Sequence, residues 1–401
     1  MSRERDSTPL WTGPFVLAWA VNFLHSTGFH AFVHAPGWLE VQGADTLLVG
    51  VLVAVMFVAA IFARPVVGKV MDTRGRRIVT LVGGLIHVLS SGLYLALDAH
   101  AGTLSEPSPS LWLLVACVRV VHGLGLAALF SVLFTIAADI VPAQRRAEGI
   151  AIYGVSGLIP LGIGGLLGDW VIVGDDYRGL FLTTGACAVV GLLASLFLPE
   201  THRAGQSPAR GVLATAAAPE LRPLWFVGTA FAVGLTAYFV FLKTYLLANP
   251  ALGSMSQFFM AYSISAVLLR VLFGWVPERL GLIRVLLPSI VIGAAGLAVL
   301  ALATSSVHLI TAAALCGVGH GFAFPIISAL VVARARPDER GSAIALFTAL
   351  FDLGVLIGGP MFGALVKVLD YPATFGVGAA LVGSSALVYG LWDRRYQDGS
   401  P

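Results

Sequence analysis

Two ionisable side chains lie inside one long apolar run, where their types and spacing could support proton transfer. Arg119 and His122 are one helical turn apart and follow the uncharged stretch 111–118. A charge at that depth in a membrane is costly unless it faces water or a counter-charge. Arg119 therefore either takes part in proton transfer or caps buried carbonyl groups. A later run holds Asp352, whose carboxylate could carry a proton or form a static ion pair. We predict that Arg119, His122 and Asp352 couple protons to the function of the chain.

Polar residues also interrupt the first apolar run, at Asn22, His25, His30 and His34. At about 100° per residue, His30 and His34 share a helical face and His25 points away from His30. One helix therefore cannot gather the three imidazoles around one metal ion. Each histidine could titrate near neutral pH or bind a polar or anionic group. An ordinary interhelical hydrogen bond is the alternative for each.

A pattern of charges and glycines occurs once in each half of the chain. The two copies are Arg64-x3-Gly68-x3-Asp72-x2-Gly75 and Arg270-x3-Gly274-x3-Glu278-x2-Gly281. Arg64, Gly68 and Asp72 of the first copy fall on one helical stripe. The glycine permits close helix approach, and the acid can pair with an arginine. Two interpretations stay open, an electrostatic latch or charges that set topology beside a turn-forming glycine.

Other residues recur in the same order. They are His122-Gly123 with His320-Gly321, Pro142-x2-Arg145 with Pro337-x2-Arg340, Gly164 and Gly168 with Gly359 and Gly363, and Asp176-Tyr177 with Asp370-Tyr371. Chance does not readily produce such a series, so we predict two like-oriented repeats. The predicted latch set is Arg64, Gly68, Asp72, Gly75, Arg76, Arg145, Arg270, Gly274, Glu278 and Arg340. Asp139 and Glu148, which flank the loop after the fourth apolar run, are interpreted as surface charges.

The composition restricts the class of protein that can hold these residues. The chain has 401 residues, of which 58% are hydrophobic and 11% charged, with a mean hydropathy of +0.90. A soluble domain carries about 25% charged residues. A soluble or disordered chain is therefore excluded, and the scattered charges do not indicate nucleic-acid binding. Cys117, Cys187 and Cys316 form no CxxC pair, so we expect neither a disulfide framework nor a metal site.

Twelve apolar runs are each long enough to cross a bilayer as a helix of about 20 residues. They lie near 14–36, 46–70, 77–97, 111–138, 147–168, 177–198, 222–247, 255–276, 283–303, 307–332, 341–366 and 371–392. We predict an all-α membrane protein with twelve transmembrane helices in two pseudo-symmetric six-helix bundles. The bundles are expected at 1–198 and 223–401, joined by a cytoplasmic linker at 199–222.

Basic residues predict the orientation, because loops rich in Lys and Arg stay in the cytoplasm. Most of the 24 Lys and Arg residues fall on the side of the N-terminus. Arg178, Lys243 and Lys367 fall on the other side. Both termini are therefore predicted to be cytoplasmic. Lys243 either snorkels to the interface or faces a cavity, where it would select an anionic group.

Three motifs carry a family resemblance. The loop at 68–77 reads Gly-x3-Asp-Thr-Arg-Gly-Arg-Arg and departs from a Gly-x3-Asp-Arg-x-Gly-Arg-Arg pattern only at Thr73. The fourth run has Arg119-x2-His122-Gly-x-Gly, with His in place of Gln. The fifth has a Gly-rich stretch at 157–165, with Pro160 one place early. On these residues, the chain resembles the major facilitator superfamily, and within it the twelve-span drug and metabolite efflux group, over residues 10–395.

The resemblance implies a fold and a function. It implies that the latch holds the cytoplasmic side closed, that Arg119 takes part in proton coupling, and that the first span lines a central cavity. The expected cavity residues are Asn22, His25, His30, Tyr153, Tyr238, Lys243, His320 and Phe347. The expected activity is proton-coupled export of a small organic solute by alternating access. The expected partners are that solute, protons and lipid, for a monomer in a bacterial inner membrane.

Two other functions are open on the sequence. The displaced Pro160, the histidines and Lys243 are compatible with an importer of a small organic anion or sugar-like solute. A membrane-embedded enzyme or receptor would need a clustered nucleophile, a metal set or an extramembrane domain, and the sequence suggests none of these. No nucleotide-binding loop is present, so the energy must come from an ion gradient or from the solute's own gradient. We therefore predict no enzyme activity, cofactor or metal.

Overall fold

A computed structural model describes residues 9–104, 108–142, 145–201, 212–336 and 340–397. The described residues form helices, and the only β pairing among them is an isolated bridge between Val173 and Asp176. The helices are α1 Gly13–Ala31, α2 Ala35–Val41, α3 Thr46–Arg74, α4 Arg76–Ala101, α5 Pro109–Ile140, α6 Arg146–Val171, α7 Arg178–Ser195, α8 Val212–Ala217, α9 Arg222–Ala248, α10 Met255–Phe273, α11 Val276–Leu280, α12 Leu282–Ala301, α13 Ser306–Arg334, α14 Arg340–Val368 and α15 Tyr371–Gln397. Short 3-10 turns lie at Phe32–His34 and Pro250–Leu252.

Eleven helices of the described chain are long and apolar enough to cross a membrane. The twelfth long helix is α1, which contains Asn22, His25 and His30 and packs against α6 and α7. Large apolar side chains face outward, including Phe62 at 76% and Trp170 at 79% exposure. Such a surface suits lipid and not water. The predicted all-α fold with twelve membrane helices is confirmed.

Contacts divide the chain into two compact units. Unit 1 comprises Met1–Trp38 and Val58–Gln206, and unit 2 comprises Leu39–Phe57 and Ser207–Pro401. In unit 1 the most extensive helix pairs are α4 with α5, α4 with α7, α1 with α6 and α1 with α7. In unit 2 the corresponding pairs are α12 with α13, α12 with α15, α9 with α14 and α9 with α15. The equivalent helices of the two repeats therefore pack in the same pattern.

Helix α3 is divided between the units, because its first part belongs to unit 2. There the α3 backbone at Gly50 comes so close to the α14 backbone at Gly359 that a Cβ on either glycine would overlap the other's carbonyl. Nearby, the Thr46 hydroxyl donates a 3.0 Å hydrogen bond to the Gly363 carbonyl. Small residues allow this approach of two membrane helices. The boundaries 1–198, 199–222 and 223–401 remain a prediction, and the contact grouping differs from them by assigning Leu39–Phe57 to the second unit.

Two predicted spans are interrupted by helix breaks. The run at 14–36 ends as α1 at Ala31, passes through a 3-10 turn and continues as α2. Pro36 explains the break, since proline has no N–H and clashes with the carbonyl four residues earlier. The run at 255–276 ends as α10 at Phe273, before the separate helix α11.

Because of the break after α10, the second copy of the repeated motif differs from the first in local structure. Arg64, Gly68 and Asp72 lie on the continuous helix α3. In the second copy, however, Gly274 is the C-cap of α10 and Glu278 belongs to α11. Arg270 and Glu278 therefore do not share a helical stripe. The turn glycines do correspond, since Gly75 and Gly281 have φ of 97° and 95°.

We predict that the substitution Gly359→Ala lowers the stability of unit 2 by about 1–3 kcal/mol, the usual cost of overpacking. A methyl group there would lie 2.5 Å from the Gly50 carbonyl oxygen, so α3 and α14 must separate. The matched control is Gly376→Ala, where a Cβ meets no atom within 4 Å. The thermal midpoint in detergent measures the effect, and equal midpoints for the two variants would contradict the prediction.

The ion pair between Asp45 and Lys367 leads to a prediction about how the stability of the fold depends on pH. Lys367 Nζ lies 2.7 Å from Asp45 Oδ2, and this hydrogen bond is the main reason that the pKa of Asp45 lies below its ordinary value. The pair therefore stabilises the fold above the ordinary pKa of an aspartate and stops doing so as pH falls through the lowered value. Both side chains are half-exposed, so the expected effect is about 0.2–1 kcal/mol.

We therefore expect Lys367→Met to lower the thermal midpoint at neutral pH, and this loss to disappear as the pH falls through the lowered pKa of Asp45. In an Asp45→Asn background, Lys367→Met should change nothing at neutral or acidic pH. A loss that persists in acid, or in that background, would show that the lysine acts through other contacts.

Candidate functional site

Unit 1 has a group of polar side chains in its interior, which we call the histidine cluster. Its members are His25 of α1, His87 and Tyr94 of α4, and Arg119 and His122 of α5. All five are buried, with exposures between 0% for Tyr94 and 3% for His25 and His87. They lie on membrane-crossing helices, so lipid offers them neither hydrogen bonds nor counter-charges.

The cluster is connected across three helices. His25 Nδ1 lies 3.2 Å from His87 Nδ1, which is hydrogen-bonding distance. The rings of His87 and His122 stack with centroids 5.9 Å apart, and His122 Nδ1 lies 3.5 Å from the Tyr94 hydroxyl. The Arg119 guanidinium lies 5.6 Å from the centroid of the Tyr94 ring. The predicted pair Arg119 and His122 is thus part of a larger polar group.

Glycines on the surrounding helices make room for the imidazoles. A Cβ at Gly191 of α7 would lie 2.9 Å from the His25 ring, and one at Gly28 of α1 would lie 3.2 Å from the His87 ring. A side chain at either position would push an imidazole out of place. His87 did not emerge as a candidate from the sequence. The available signal was a histidine in the middle of an apolar run.

The predicted cavity residues of α1 lie along its contact with α6. Asn22 donates a 2.7 Å hydrogen bond to the Ser156 hydroxyl, and His30 interacts with the backbone of Gly157. His34 is fully buried, with Nε2 3.0 Å from the Gly165 carbonyl and Nδ1 4.0 Å from an Asp169 oxygen. Tyr153 of α6 is 2% exposed and packs against Phe134.

In unit 2 the predicted residues lie in and near an aromatic region. His320 of α13 is half-buried, and its Nδ1 contacts the Tyr262 hydroxyl of α10 at very short range. Tyr238 of α9, at 2% exposure, extends this chain with a 3.5 Å contact between its hydroxyl and that of Tyr262. Phe347 of α14 is buried against Phe324. We call His320, Tyr262, Tyr238, Phe324 and Phe347 the aromatic region.

Two further predicted residues of unit 2 lie on long helices. Asp352 of α14 is 6% exposed, so its carboxyl group is buried within a membrane-crossing helix. Lys243 of α9 is half-buried. Of the three residues predicted to couple protons, Arg119 and His122 thus lie in unit 1 and Asp352 lies in unit 2.

The contacts that the structure describes for the first copy of the predicted latch lie within unit 1. Arg64 Nη1 donates a 3.2 Å hydrogen bond to the Ser131 hydroxyl of α5, and its guanidinium lies over the Phe130 ring. Gly68 has open space beside it, since a Cβ at this position would meet no described atom within 4 Å. The Asp72 side chain is 72% exposed, and its carboxylate lies 3.9 Å from Arg76. The expected close helix approach at Gly68 is therefore absent from the described contacts.

A cluster of charged and polar side chains connects the start of α4, the end of α5 and the segment after α7. Glu200 accepts hydrogen bonds from the backbone N–H groups of Arg76, at 2.9 Å, and Arg77, at 3.1 Å. The Arg76 side chain, 5% exposed, donates through Nε to Asp139 at 3.1 Å, and the Thr201 hydroxyl donates to the same carboxylate. We call Arg76, Asp139, Glu200 and Thr201 the α4 cap cluster.

The α4 cap cluster explains the geometry of the turn before it. A carboxylate at a helix N-terminus satisfies free N–H groups and complements the helix dipole. Gly75 leaves the space that the Glu200 carboxylate occupies, because a Cβ at Gly75 would overlap it. The sequence had suggested that Asp139 was a surface charge. Asp139 is indeed exposed, and it also pairs with the buried side chain of Arg76, a contact that the sequence did not indicate.

The remaining latch residues have local partners or lie on the surface. Arg145 forms an ion pair with Glu148 three residues later. Arg270 Nε donates a 2.9 Å hydrogen bond to the Gly321 carbonyl of α13. Glu278 is exposed on α11. The side chain of Arg340 lies outside the described residues.

The described residues contain no group of three or more His, Cys, Asp or Glu side chains that could hold a metal ion. All three cysteines are free thiols, with Cys316 buried, Cys187 half-buried and Cys117 exposed. The polar groups brought together are therefore imidazole, guanidinium, phenol and carboxyl groups. This chemistry suits proton exchange and hydrogen bonding to a solute.

A duplicated bundle of membrane helices with ionisable residues in its interior is the architecture of a secondary transporter. The Major Facilitator Superfamily sequence profile matches residues 15–254 and 224–401, so the chain belongs to this family. It is a multi-pass membrane transporter and not an enzyme.

Individual relatives agree with this assignment. An uncharacterized MFS-type transporter of Salmonella typhimurium is 26% identical over 358 residues, which cover 87% of this chain and 88% of the relative. The crystal structure of a mutant of the nucleoside transporter NupG matches with a TM-score of 0.78 at 16% identity, covering 95% of this chain and all of that one. A POT family transporter in complex with a thioalcohol-conjugated peptide matches with a TM-score of 0.76 at 12% identity, covering 95% and 96%. At such low identity the structural likeness defines the fold alone.

The α4 cap cluster predicts unequal effects at two glycines with the same backbone geometry. Gly75→Ala and Gly281→Ala each place a side chain at φ near +95°, a strain of about 1–2 kcal/mol. Only Gly75→Ala also displaces Glu200, since a Cβ at Gly281 meets no atom within 4 Å. We expect Gly75→Ala to lower the thermal midpoint further, by the loss of a cap of about 0.5–2 kcal/mol.

The substitution Glu200→Ala tests the same cluster in a second way. It removes both the capping carboxylate and the atoms that a Cβ at Gly75 would overlap, so that Gly75→Ala in this background should cost no more than Gly281→Ala. If the difference between the two glycine variants persists without Glu200, the cap is not its cause.

Proposed function

We propose that the chain is a proton-coupled secondary transporter that exports a small amphipathic organic solute by alternating access. The observation that carries the proposal is the burial of Arg119 and His122, at 2% and 1% exposure, in a helix that crosses the membrane. An arginine at that depth is expensive and usually functional. A histidine beside it adds a side chain whose ring nitrogens can both donate and accept protons.

Asp352 supplies the acidic member of the proposed proton pathway. It is buried in α14, a helix whose glycines let it pack closely against α9 and the first part of α3. An acidic residue inside a membrane helix is expensive and usually functional. A proton taken up there would neutralise a charge that otherwise opposes movement through an apolar environment. We propose Asp352 as the residue whose protonation drives transport.

The aromatic region is the proposed substrate surface of unit 2. It offers ring faces together with the hydroxyls of Tyr238 and Tyr262 and the imidazole of His320. Apolar walls with a few fixed polar groups are the usual composition of a small-molecule site. Asn22, His25, His30 and Tyr153 are the proposed counterparts in unit 1. An amphipathic solute would use both kinds of contact.

The proposal also includes orientation and assembly. We propose a monomer in a bacterial inner membrane with both termini cytoplasmic, as the distribution of basic residues favours. Arg64, Gly68, Asp72, Gly75 and Arg76, with their counterparts in the second repeat, are the proposed latch of the cytoplasmic side. The bacterial relative of similar length supports the membrane assigned here.

Import of a small organic anion or sugar-like solute is the second candidate. Half-buried Lys243 and the polar contact between Asn22 and Ser156 favour a polar solute over an amphipathic one. Two proteins of the same fold are a nucleoside transporter and a peptide-binding transporter, so the fold accommodates polar solutes. The direction of the coupled proton movement separates the two candidates.

The test begins with a thermal-shift screen of the purified protein against metabolite and drug libraries, which identifies a solute. Proteoliposomes are then given a pH gradient of either sign, and uptake of the labelled solute is measured. Export by antiport predicts accumulation when the lumen is acidic. Accumulation when the outside is acidic would replace it with proton-coupled import, and uptake that ignores the gradient would refute proton coupling.

Within this assay we predict that Asp352→Asn abolishes accumulation driven by the pH gradient, because an amide cannot bind the coupling proton. Exchange of labelled for unlabelled solute, which needs no net proton movement, should continue. The matched control is Asp175→Asn, which alters an exposed acid of the loop before α7 and should transport like the parent protein. Equal loss of both activities in Asp352→Asn would remove Asp352 from the coupling role.

A further inference from the structure

We propose that His25 and His87 bind one shared proton, which they exchange with His122, so that the histidine cluster is a proton relay inside unit 1. The proposal deepens the proton coupling proposed above and rests on it. It assigns a role to His87, whose place in the molecule only the structure reveals. The argument depends on contacts, burial and hydrogen-bonding chemistry within this unit.

The contact between His25 and His87 requires two different tautomers. Two neutral imidazoles with Nδ1 atoms 3.2 Å apart can hydrogen-bond only if one Nδ1 carries a hydrogen and the other does not. One ring therefore has its proton on Nδ1 and the other has it on Nε2. The ring that donates through Nδ1 keeps a lone pair on Nε2, where it can accept a further proton.

That accepting position is available in the structure. Nε2 of His25, His87 and His122 are all buried and have no partner within hydrogen-bond geometry among the described residues. A buried polar atom left in this way is costly in a static packing arrangement. Of the three rings, that of His25 interacts with the backbone of Gly191 of α7, which its Nε2 edge faces. Proton entry is therefore assigned to Nε2 of His87.

The transfer can be written with only N–H bonds changing. A proton binds to Nε2 of His87, whose Nδ1 already donates to His25. The Nδ1 proton of His87 then moves across the 3.2 Å contact to Nδ1 of His25. His25 becomes the imidazolium and His87 is neutral, with its proton on Nε2. The reverse sequence returns the proton, and the pair holds one additional proton throughout.

His122 connects this pair to the charged end of the cluster. Its ring stacks on that of His87 at an interplanar angle of 16°, and its Nδ1 contacts the Tyr94 hydroxyl. Because stacked rings share no hydrogen bond, exchange between His87 and His122 requires rotation of one ring. Tyr94 also borders Arg119, so the hydroxyl links an imidazole to a guanidinium.

The charged and titratable groups that face His25 and His87 determine when this pair can hold an additional proton. On α5 these are Arg119 and His122, on α4 Tyr94, and on α7 the half-buried thiol of Cys187, whose Cβ and the His87 ring both border Gly28. Arg119 is a fixed positive charge, and like charges repel in a buried site. A proton on the pair therefore competes with a nearby Arg119. Movement of Arg119 away from Tyr94 would be the event that permits loading.

Proton-binding titration of the purified protein in lipid nanodiscs tests the relay without a transported solute. The number of protons bound between about pH 8 and the lowest pH at which the parent protein stays folded is compared for the parent protein, His25→Gln, His87→Gln and the double variant. A shared proton predicts that each single variant loses one proton and that the double variant loses no more than either. The exposed residue His308 of α13, which lies outside the cluster, provides the matched control, and His308→Gln should leave the difference between the parent protein and the cluster variants unchanged.

Two results of the titration would contradict the proposal, each in a different way. No loss in either single variant would show a static neutral pair and overturn the relay. Two protons lost in the double variant would show independent titration and overturn the sharing. Because glutamine could disturb folding, the parent protein labelled with 15N-histidine gives a second measurement, in which the ring nitrogens of the pair must show opposite tautomers at high pH and one imidazolium at low pH. Two identical tautomers that persist to low pH would also overturn the relay.

The proteoliposome assay separates this proposal from the proposed function. If the parent protein and both histidine variants couple transport to the pH gradient equally, proton coupling stands and the relay is wrong. If the parent protein shows no coupling, the proposed function fails, whereas the titration still decides whether the pair binds a shared proton. Loss of coupling in His87→Gln with retained solute exchange is the result expected of the relay.

Discussion

The membrane gives no hydrogen bonds to the groups inside it, and this constraint shapes the rest of the molecule. The chain buries imidazoles, a guanidinium and a carboxyl group in helices that cross the bilayer, where each requires a partner within the protein. The outer surface is correspondingly apolar, as the exposure of Phe62 and Trp170 shows. Glycines such as Gly28 and Gly191 bring helix backbones close enough for these side chains to meet. The glycines that allow close helix packing therefore also allow the buried polar side chains to find partners.

The same constraint explains how unit 1 can act as one body. At the start of α4, the Glu200 carboxylate satisfies two backbone N–H groups, while Arg76 and Asp139 tie α4 to α5. In unit 2 a different pair has an equivalent effect, because buried Asp393 of α15 binds Arg334 at the end of α13 through both carboxylate oxygens. Ion pairs with little exposure are not readily exchanged for water. Each unit therefore keeps its own helix ends together through charges that the repeated motif did not identify.

The sequence predicts the fold well and the site only in part, for physical reasons. Apolar length alone specifies a membrane helix, so all twelve runs were recognised from the sequence, with the repeat visible in residues such as His122 and His320. Eleven of the described helices are long and apolar enough to cross a membrane. Helix breaks depend on individual residues such as proline. Pro36 marks the break after α1, which the continuous apolar run at 14–36 does not show. Which side chains meet depends on helix rotation, which a single sequence does not specify. For this reason His87 was missed, as was the pairing of the surface carboxylate of Asp139 with Arg76.

The two repeats keep one packing pattern while carrying different chemistry, and this difference points to a division of roles. Three residues before His122 lies Arg119, whereas three residues before His320 lies Gly317, which brings α13 against the Tyr262 backbone of α10. A buried charge in one repeat is therefore replaced by close backbone contact in the other. The histidine cluster has groups that bind protons, and the aromatic region has ring faces and hydroxyls that suit an organic solute. Under the proposed function, both repeats contribute groups that exchange protons, the histidine cluster in unit 1 and Asp352 in unit 2, whereas the aromatic region adds a surface for the solute in unit 2.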